Sequence, residues 1–215
     1  MGMAKYISHL DLLRCFTRSI MRSGLPVEYS QGFNPHQKMT FALPLPVGVT
    51  SECEYVDISF EDGKASDREI EQKLNDNLPP DIRVLSVGDI VCKASDIVCA
   101  EYFIKLHSEE EIMPEWIKNF FSLDEIIVMK KTKKKTEKPI NIFEFIKAWE
   151  IIKVEEKTAD IRIVLDAGGE RNLKPDVVVS AFCERHQSIC ADEAEIHRKE
   201  VFVKNTDGVI IEKFN

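Results

Sequence analysis

Apolar residues along this chain follow two spacings, one helical and one alternating, and the switches between them mark the elements. Leu12, Leu13, Phe16 and Ile20 fall on one side of a helix. Arg14, Arg18 and Arg22 recur every four residues and stack along nearly the opposite side. Ser8 supplies a hydroxyl for the open amides of the first turn, and Asp11 suits the positive helix end. Gly24 and Pro26 stop the run, so the spacing predicts a helix over Ser8–Arg22. Met39 to Val49 reads as a strand running into Pro44-Leu45-Pro46, whose missing amides suit a strand end or an edge. Tyr55, Val56, Ile58 and Phe60 give the segment from Cys53 to Phe60 a β-like composition, and Asp62-Gly63 a turn. Ser66 with Glu69 opens a second helix to Leu78, Pro79-Pro80 ends it, and Ile82 to Val91 is an expected strand.

The first seven residues have room only for the end of a strand. The order is therefore helix, strand, strand, helix, strand: a split βαβ unit lacking most of its first strand. A boundary is expected near Lys93–Val98. Beyond it come a strand (Cys99–Leu106), a helix (Glu109–Phe121, with Pro114 in its first turn) and a strand (Glu125–Lys131). The apolar segment Ile142–Trp149 must be buried, most simply as a short helix. Two strands (Ile151–Glu155 and Ile161–Leu165), a helix (Asn172–His186) and a closing strand (Glu195–Lys204) complete the chain. The expected fold is α+β: two tandem ferredoxin-like domains, 1–93 and 98–215, the second with an insertion near 132–150.

Composition narrows the functional classes. The 215 residues are 44% hydrophobic and 31% charged, with a net charge of −8. That balance argues against a protein that coats nucleic acid non-specifically, yet leaves room for local basic patches. One lies in residues 1–40, where Lys5, Arg14, Arg18, Arg22 and Lys38 face only Asp11 and Glu28. Another is the lysine run Lys130, Lys131, Lys133, Lys134, Lys135 and Lys138, read as a solvated hairpin or an arm for a phosphate backbone. No apolar run reaches the roughly 18–20 residues that span a bilayer. There is no charged-then-apolar leader, and the expected location is cytoplasmic. The six cysteines form no CxxC pair and read as reduced, mostly buried thiols. Cys183, His186 and Cys190 share a helix face, a weak metal signal, and no cofactor or metal is expected.

The candidate chemistry gathers near the N-terminus. Arginine forks match phosphate or carboxylate oxygens, so Arg14, Arg18 and Arg22 offer an anion-facing helix, or else an ordinary solvated face. His9 sits in the first helical turn and titrates near neutral pH. Between helix and strand, Tyr29, Ser30, Gln31, Asn34, His36 and Lys38 crowd donors, acceptors and a ring onto one loop shaped by Gly32 and Asn34-Pro35. Glu52 and Glu54 share a strand face and are expected to pair with Arg14 or Lys38.

The motifs SHLDLLR, LPVEYSQGFNPHQK and FALPLPVGVTSECEY, in about the first sixty residues, resemble a bacterial family of unknown function, the radical-SAM-linked proteins. Asn172-Leu173-Lys174-Pro175 and Ile196-His197-Arg198-Lys199 also look like its C-terminal part. The resemblance implies a radical S-adenosylmethionine protein encoded nearby as partner, with an RNA or ribosomal component as a further one. Members similar to this chain carry another strand before the segment matching Lys5-Tyr6-Ile7, whereas here the chain begins almost on the motif. The expectation is an internal methionine taken as the start, or a truncated chain. A compensating strand from elsewhere, a swapped dimer or a poorly formed first sheet would follow.

Three functions stand at this stage. The leading one is a non-catalytic accessory protein that recognises or presents RNA or a ribosome-related substrate through His9, Arg14, Arg18 and the Tyr29–Lys38 loop. The chain lacks the CxxxCxxC of a radical enzyme's own cluster. The second is a metal-free endoribonuclease with His9 or His36 as acid or base and Arg14, Arg18 or Lys38 stabilising the phosphorane. The third is a protein–protein adaptor. No phosphate-cradling glycine loop, nucleophile elbow or paired-histidine metal motif is present.

Overall fold

Helix α1 (His9–Ser23) begins where Ser8 leaves extended backbone and its hydroxyl accepts the Asp11 amide at 3.2 Å. It ends at Gly24, whose φ of 65° lies in the left-handed region that a residue without a β-carbon enters freely. The computed structural model describes residues 3–61, 65–131, 137–169, 171–204 and 211–213. The expected Asp62-Gly63 turn and Lys133 to Lys135 lie outside them. Contacts divide the chain into two compact units. One is built on Met1–Thr50 and Glu54–Ala94, the other on Ser51–Cys53 and Ser95–Phe214.

In the first unit, α1 buries Phe16 and Ile20 against Ile70 and Leu74 of α2 (Asp67–Asn77), whose N-cap is Ser66. Strands β1 (Met39–Phe41) and β3 (Val56–Ile58) pair antiparallel with Met39 opposite Ile58. Met39, Phe41, Val56 and Ile58 cover the helix pair from one side, and Leu25, Val27 and Leu78 complete the core. The short β2 (Val49–Ser51) lies between them in sequence.

The second unit holds β4 (Ile97–His107), α3 (Pro114–Phe121), the hairpin β5 (Ile127–Lys131) and β6 (Glu137–Asn141), then β7 (Ile146–Glu155), β8 (Thr158–Asp166), α4 (Pro175–Cys183), β9 (Glu195–Lys204) and β10 (Ile211–Lys213). The sheet order is β10-β9-β4-β8-β7, all antiparallel, and β2 also pairs with β9. Without β10 and β2 this is the order of a split βαβ unit, with β5–β6 inserted as a separate hairpin. β4 buries Ala100, Tyr102, Ile104 and Leu106 at alternate positions, the period a half-covered strand requires. Pro114 and Pro175 open their helices at the position where a missing amide costs nothing. Gly168 (φ 133°) is needed where it stands, because a β-carbon there would collide with the Ile97 carbonyl.

The α+β class stands, and the first unit, expected to lack most of its first strand, is less regular than that expectation. Among the described residues the first unit pairs only β1 with β3, and Met3–Tyr6 is a turn of 3-10 helix rather than a strand end. Residues 82–91 form no strand: the Asn75 side chain takes both the amide (2.9 Å) and the carbonyl (3.0 Å) of Val84, the groups a ladder would use. The Met39–Val49 strand is broken, β1 ending at Phe41 before the prolines. The short helix expected over Ile142–Trp149 is one 3-10 turn, Ile142–Phe145, followed by β7. Alternation in Ile146–Glu155 was hidden by apolar residues on both faces of this strand.

Candidate functional site

The arginine stripe of α1 separates into three fates. Arg14 is exposed and its Nη1 donates to Asp11 Oδ1 at 3.0 Å, while Ser8 Oγ donates to Asp11 Oδ2 at 2.7 Å. These two donors hold the Asp11 carboxyl below the usual carboxylate range. Arg22 is engaged. Its Nη2 donates to the Asn77 carbonyl (2.6 Å) and to Ser19 Oγ (3.1 Å), so this exposed side chain closes the C-terminal end of α2. Arg18 is exposed and has no hydrogen-bond or ion-pair partner among the described residues.

The loop after α1 is a closed structure. Tyr29 and Gln37 form an antiparallel bridge. Inside it, the Ser30 amide donates to the His36 carbonyl (2.8 Å), the His36 amide donates to Ser30 Oγ (3.1 Å), and Ser30 Oγ lies 2.9 Å from His36 Nδ1. These contacts lock the neck. The chain then turns at Gly32, with φ at 123°, and presents Gln31, Phe33 and Asn34 to solvent. Phe33 is fully exposed, at 107% of its reference area, and Tyr29 is 48% exposed. Lys38 pairs with Glu28 at 2.7 Å.

Gln37 ties the loop to the helix. It is buried and its Nε2 donates to the Thr17 carbonyl at 3.4 Å, which sets the loop's base beside Arg18. Its Oε1 is buried without a partner among the described residues. His9 packs edge-on against Phe41 at 5.4 Å, and Phe41 in turn against Phe16 at 5.4 Å. The His9 Nδ1 is also buried without a partner among the described residues. His9 is therefore wedged into the helix–strand contact, whereas His36 stands at the loop neck. Among the described residues, neither histidine hydrogen-bonds to the other or to an arginine.

Other expectations find different partners. Glu52, itself part of the second unit, meets Lys199 and, at 3.9 Å, His197, in place of Arg14 or Lys38. Cys183 ends α4, where burial pushes its thiol up to about 11, and His186 stacks on Trp116 at 4.8 Å. Among the described residues no group of three metal-ligating side chains comes together. No helix among them is long and apolar enough to cross a membrane.

Phe33 and Gln37 belong to the expected Tyr29–Lys38 loop but are not among its expected binding residues. The signal for Phe33 was available: a ring set between Gly32 and Asn34-Pro35, all turn formers, has no core to enter. Nothing in the sequence separates buried Gln37 from exposed Gln31.

Residues 1–175 match a family described as "Uncharacterized protein conserved in bacteria (DUF2344)", and the chain belongs to that family. No curated protein matches it. Among solved structures it is similar to a chain of a Cbf5-Nop10-Gar1 complex, at 9% identity and a TM-score of 0.49 over 91% of this chain and 45% of that one. It is also similar to a chain of the archaeal box H/ACA sRNP Nop10-Cbf5 complex, at 10% identity and a TM-score of 0.43 over 89% and 43%. The chain thus spans less than half the length of each.

Proposed function

We propose that this member of an uncharacterised bacterial family is a non-catalytic, cytoplasmic accessory protein that recognises single-stranded RNA, free or ribosomal, for a radical SAM enzyme. The two units are read as split βαβ domains over 1–93 and 98–215, the first carrying recognition. The observation that carries the reading is Phe33: a fully exposed ring on a loop with a locked neck, tied through Gln37 to the helix that bears unpartnered Arg18. A rigidly presented ring stacks on any base, and a neighbouring guanidinium meets the phosphate. Gln31, Asn34 and His36 of the same loop are exposed as well, as are Arg14 and Lys38 in their ion pairs, and Tyr29 is a second half-exposed ring. The radical SAM partner rests on the family resemblance alone.

Fluorescence anisotropy with a short labelled single-stranded RNA tests the reading. Phe33→Ala should weaken binding about tenfold, the loss of one stacked base. Arg18→Glu should weaken it and flatten its salt dependence. Equal binding by both variants and the parent would remove the proposal. Light scattering of the chain mixed with the radical SAM protein encoded beside it, under anaerobic conditions, tests the partner separately.

A nuclease reading needs His9 or His36 at a scissile phosphate. His9 is held against Phe41 with one nitrogen buried, which favours recognition over proton transfer there. Metal-free RNA cleavage lost in His36→Ala would reinstate it.

A further inference from the structure

A ring and a guanidinium bind a single strand whatever its sugar, because every base has a π-face and RNA and DNA share the phosphate. A group that selects RNA has to meet the ribose 2′-hydroxyl, which both donates and accepts. His36 has the placement and the chemistry for that contact.

The loop neck fixes the His36 ring. Ser30 and His36 stand opposite each other on one side of the Tyr29–Gln37 bridge, and Glu28 and Lys38 stand opposite each other on its other side. Ser30 Oγ accepts the His36 amide at 3.1 Å and lies 2.9 Å from His36 Nδ1. A hydroxyl has one proton to give. Given to Nδ1, that proton is used within the pair. Were Nδ1 itself protonated, the hydroxyl proton would have no acceptor among the described residues. Ser30 therefore holds the neutral imidazole as the tautomer protonated on Nε2. His36 is exposed, and its Nε2 has no hydrogen bond among the described residues.

The surroundings say which oxygen suits that N–H. Side chains alternate along the neck, so His36 shares a face with Glu28, Ser30 and Lys38, while Gln37 takes the other face, toward α1. Lys38 pairs with Glu28 at 2.7 Å. With the imidazole neutral, these four side chains carry no net charge. A neutral donor on an uncharged face suits a neutral oxygen, and the phosphate goes to the guanidinium of Arg18 on the helix side.

We propose that His36 reads the sugar. Its Nε2–H donates to the 2′-oxygen of the nucleotide next to the one stacked on Phe33, and Ser30 is the positioning residue that keeps the proton on Nε2. The strand passes over the loop tip, with a phosphate toward Arg18 on one side of the neck and a ribose toward His36 on the other. This selection of RNA over DNA rests on the reading of the Phe33 loop as a single-strand site.

The test is fluorescence anisotropy of the full chain with two strands of identical bases, one RNA and one 2′-deoxy. The parent should bind the RNA about tenfold more tightly, the effect of one good hydrogen bond. His36→Phe should bring RNA binding down to the DNA level, whereas Phe33→Ala should weaken both strands alike. That split between strands is a readout that a merely structural role would not give. Ser30→Ala should narrow the preference. Heteronuclear NMR of the imidazole nitrogens should show Nε2–H in the parent and a mixture of tautomers in Ser30→Ala. Equal affinity of the parent for the two strands, or an Nδ1–H tautomer, overturns the sugar contact and leaves single-strand binding in place. A preference for RNA that persists in His36→Phe assigns the 2′-hydroxyl to another group and overturns it too. Failure of the parent to bind either strand overturns both readings.

Discussion

The two units use their polar side chains in opposite ways. In the second unit they tie strands together. Asp166, almost fully buried at the end of β8, accepts from Lys147 of β7 at 2.9 Å and from Arg171 at 2.7 Å, and Arg171 lies over the Phe145 ring at 4.5 Å. Arg162 of β8 likewise joins Glu101 of β4 and, at 3.8 Å, Glu150 of β7. In the first unit the comparable groups face outward: Arg14, Arg18, Gln31, Asn34, His36 and Lys38 all stand exposed around a locked loop. The difference teaches where to look for a partner. On the proposed function, the sheet that pairs its own charges is the scaffold and the helix pair with exposed donors is the reader.

Substitutions can break that contrast. The largest effect should come from Gly168→Ala, which asks for a left-handed φ and a collision with Ile97 at once, and should cost about 3 kcal/mol or more. Thermal unfolding should show the loss in the second unit, with the loop's RNA affinity kept. Ile20→Ala, at a site 1% exposed in the α1–α2 core, should cost about 3 kcal/mol in the first unit. Hydrogen exchange should then rise in α1 and α2 and stay unchanged in β4 and β8. If both units loosen together, the contrast between reader and scaffold is wrong.

Smaller changes sharpen it. Arg22→Ala removes the donor that closes α2 and should cost about 1 kcal/mol without changing RNA affinity, because Arg22 points to Asn77. The equivalent change at Arg18 should do the reverse. The weakest effect is the response to acid. Asp11 and Glu69 are held below the usual carboxylate range by Ser8 and Arg14 and by Lys73, respectively. Their contribution is present above the ordinary carboxylate pKa and is lost as pH falls through the lowered values. Both are exposed, so an acid titration followed by circular dichroism should show only a slight early decline in the first unit's helices.

Much of this was legible where one residue decides one local structure. Ser8, Gly24 and Ser66 each mark a helix end, and the structure uses each in that role, whereas the helices expected from Glu109 and Asn172 begin only at Pro114 and Pro175. Where a distant group decides, the sequence misled. The Ile82–Val91 segment has the composition of a strand, but a ladder needs a neighbour, and Asn75 takes that part. Arg22 has the spacing of a stripe residue, and only the placement of Asn77 engages its guanidinium. Glu52 finds Lys199, far along the chain.

The most direct measurement is hydrogen exchange by mass spectrometry on the parent chain with and without the single-stranded RNA. The account predicts slowed exchange in the N-terminal half of α1 and across residues 29–38, with β4, β8 and β9 unchanged. Protection confined to the second unit would contradict it.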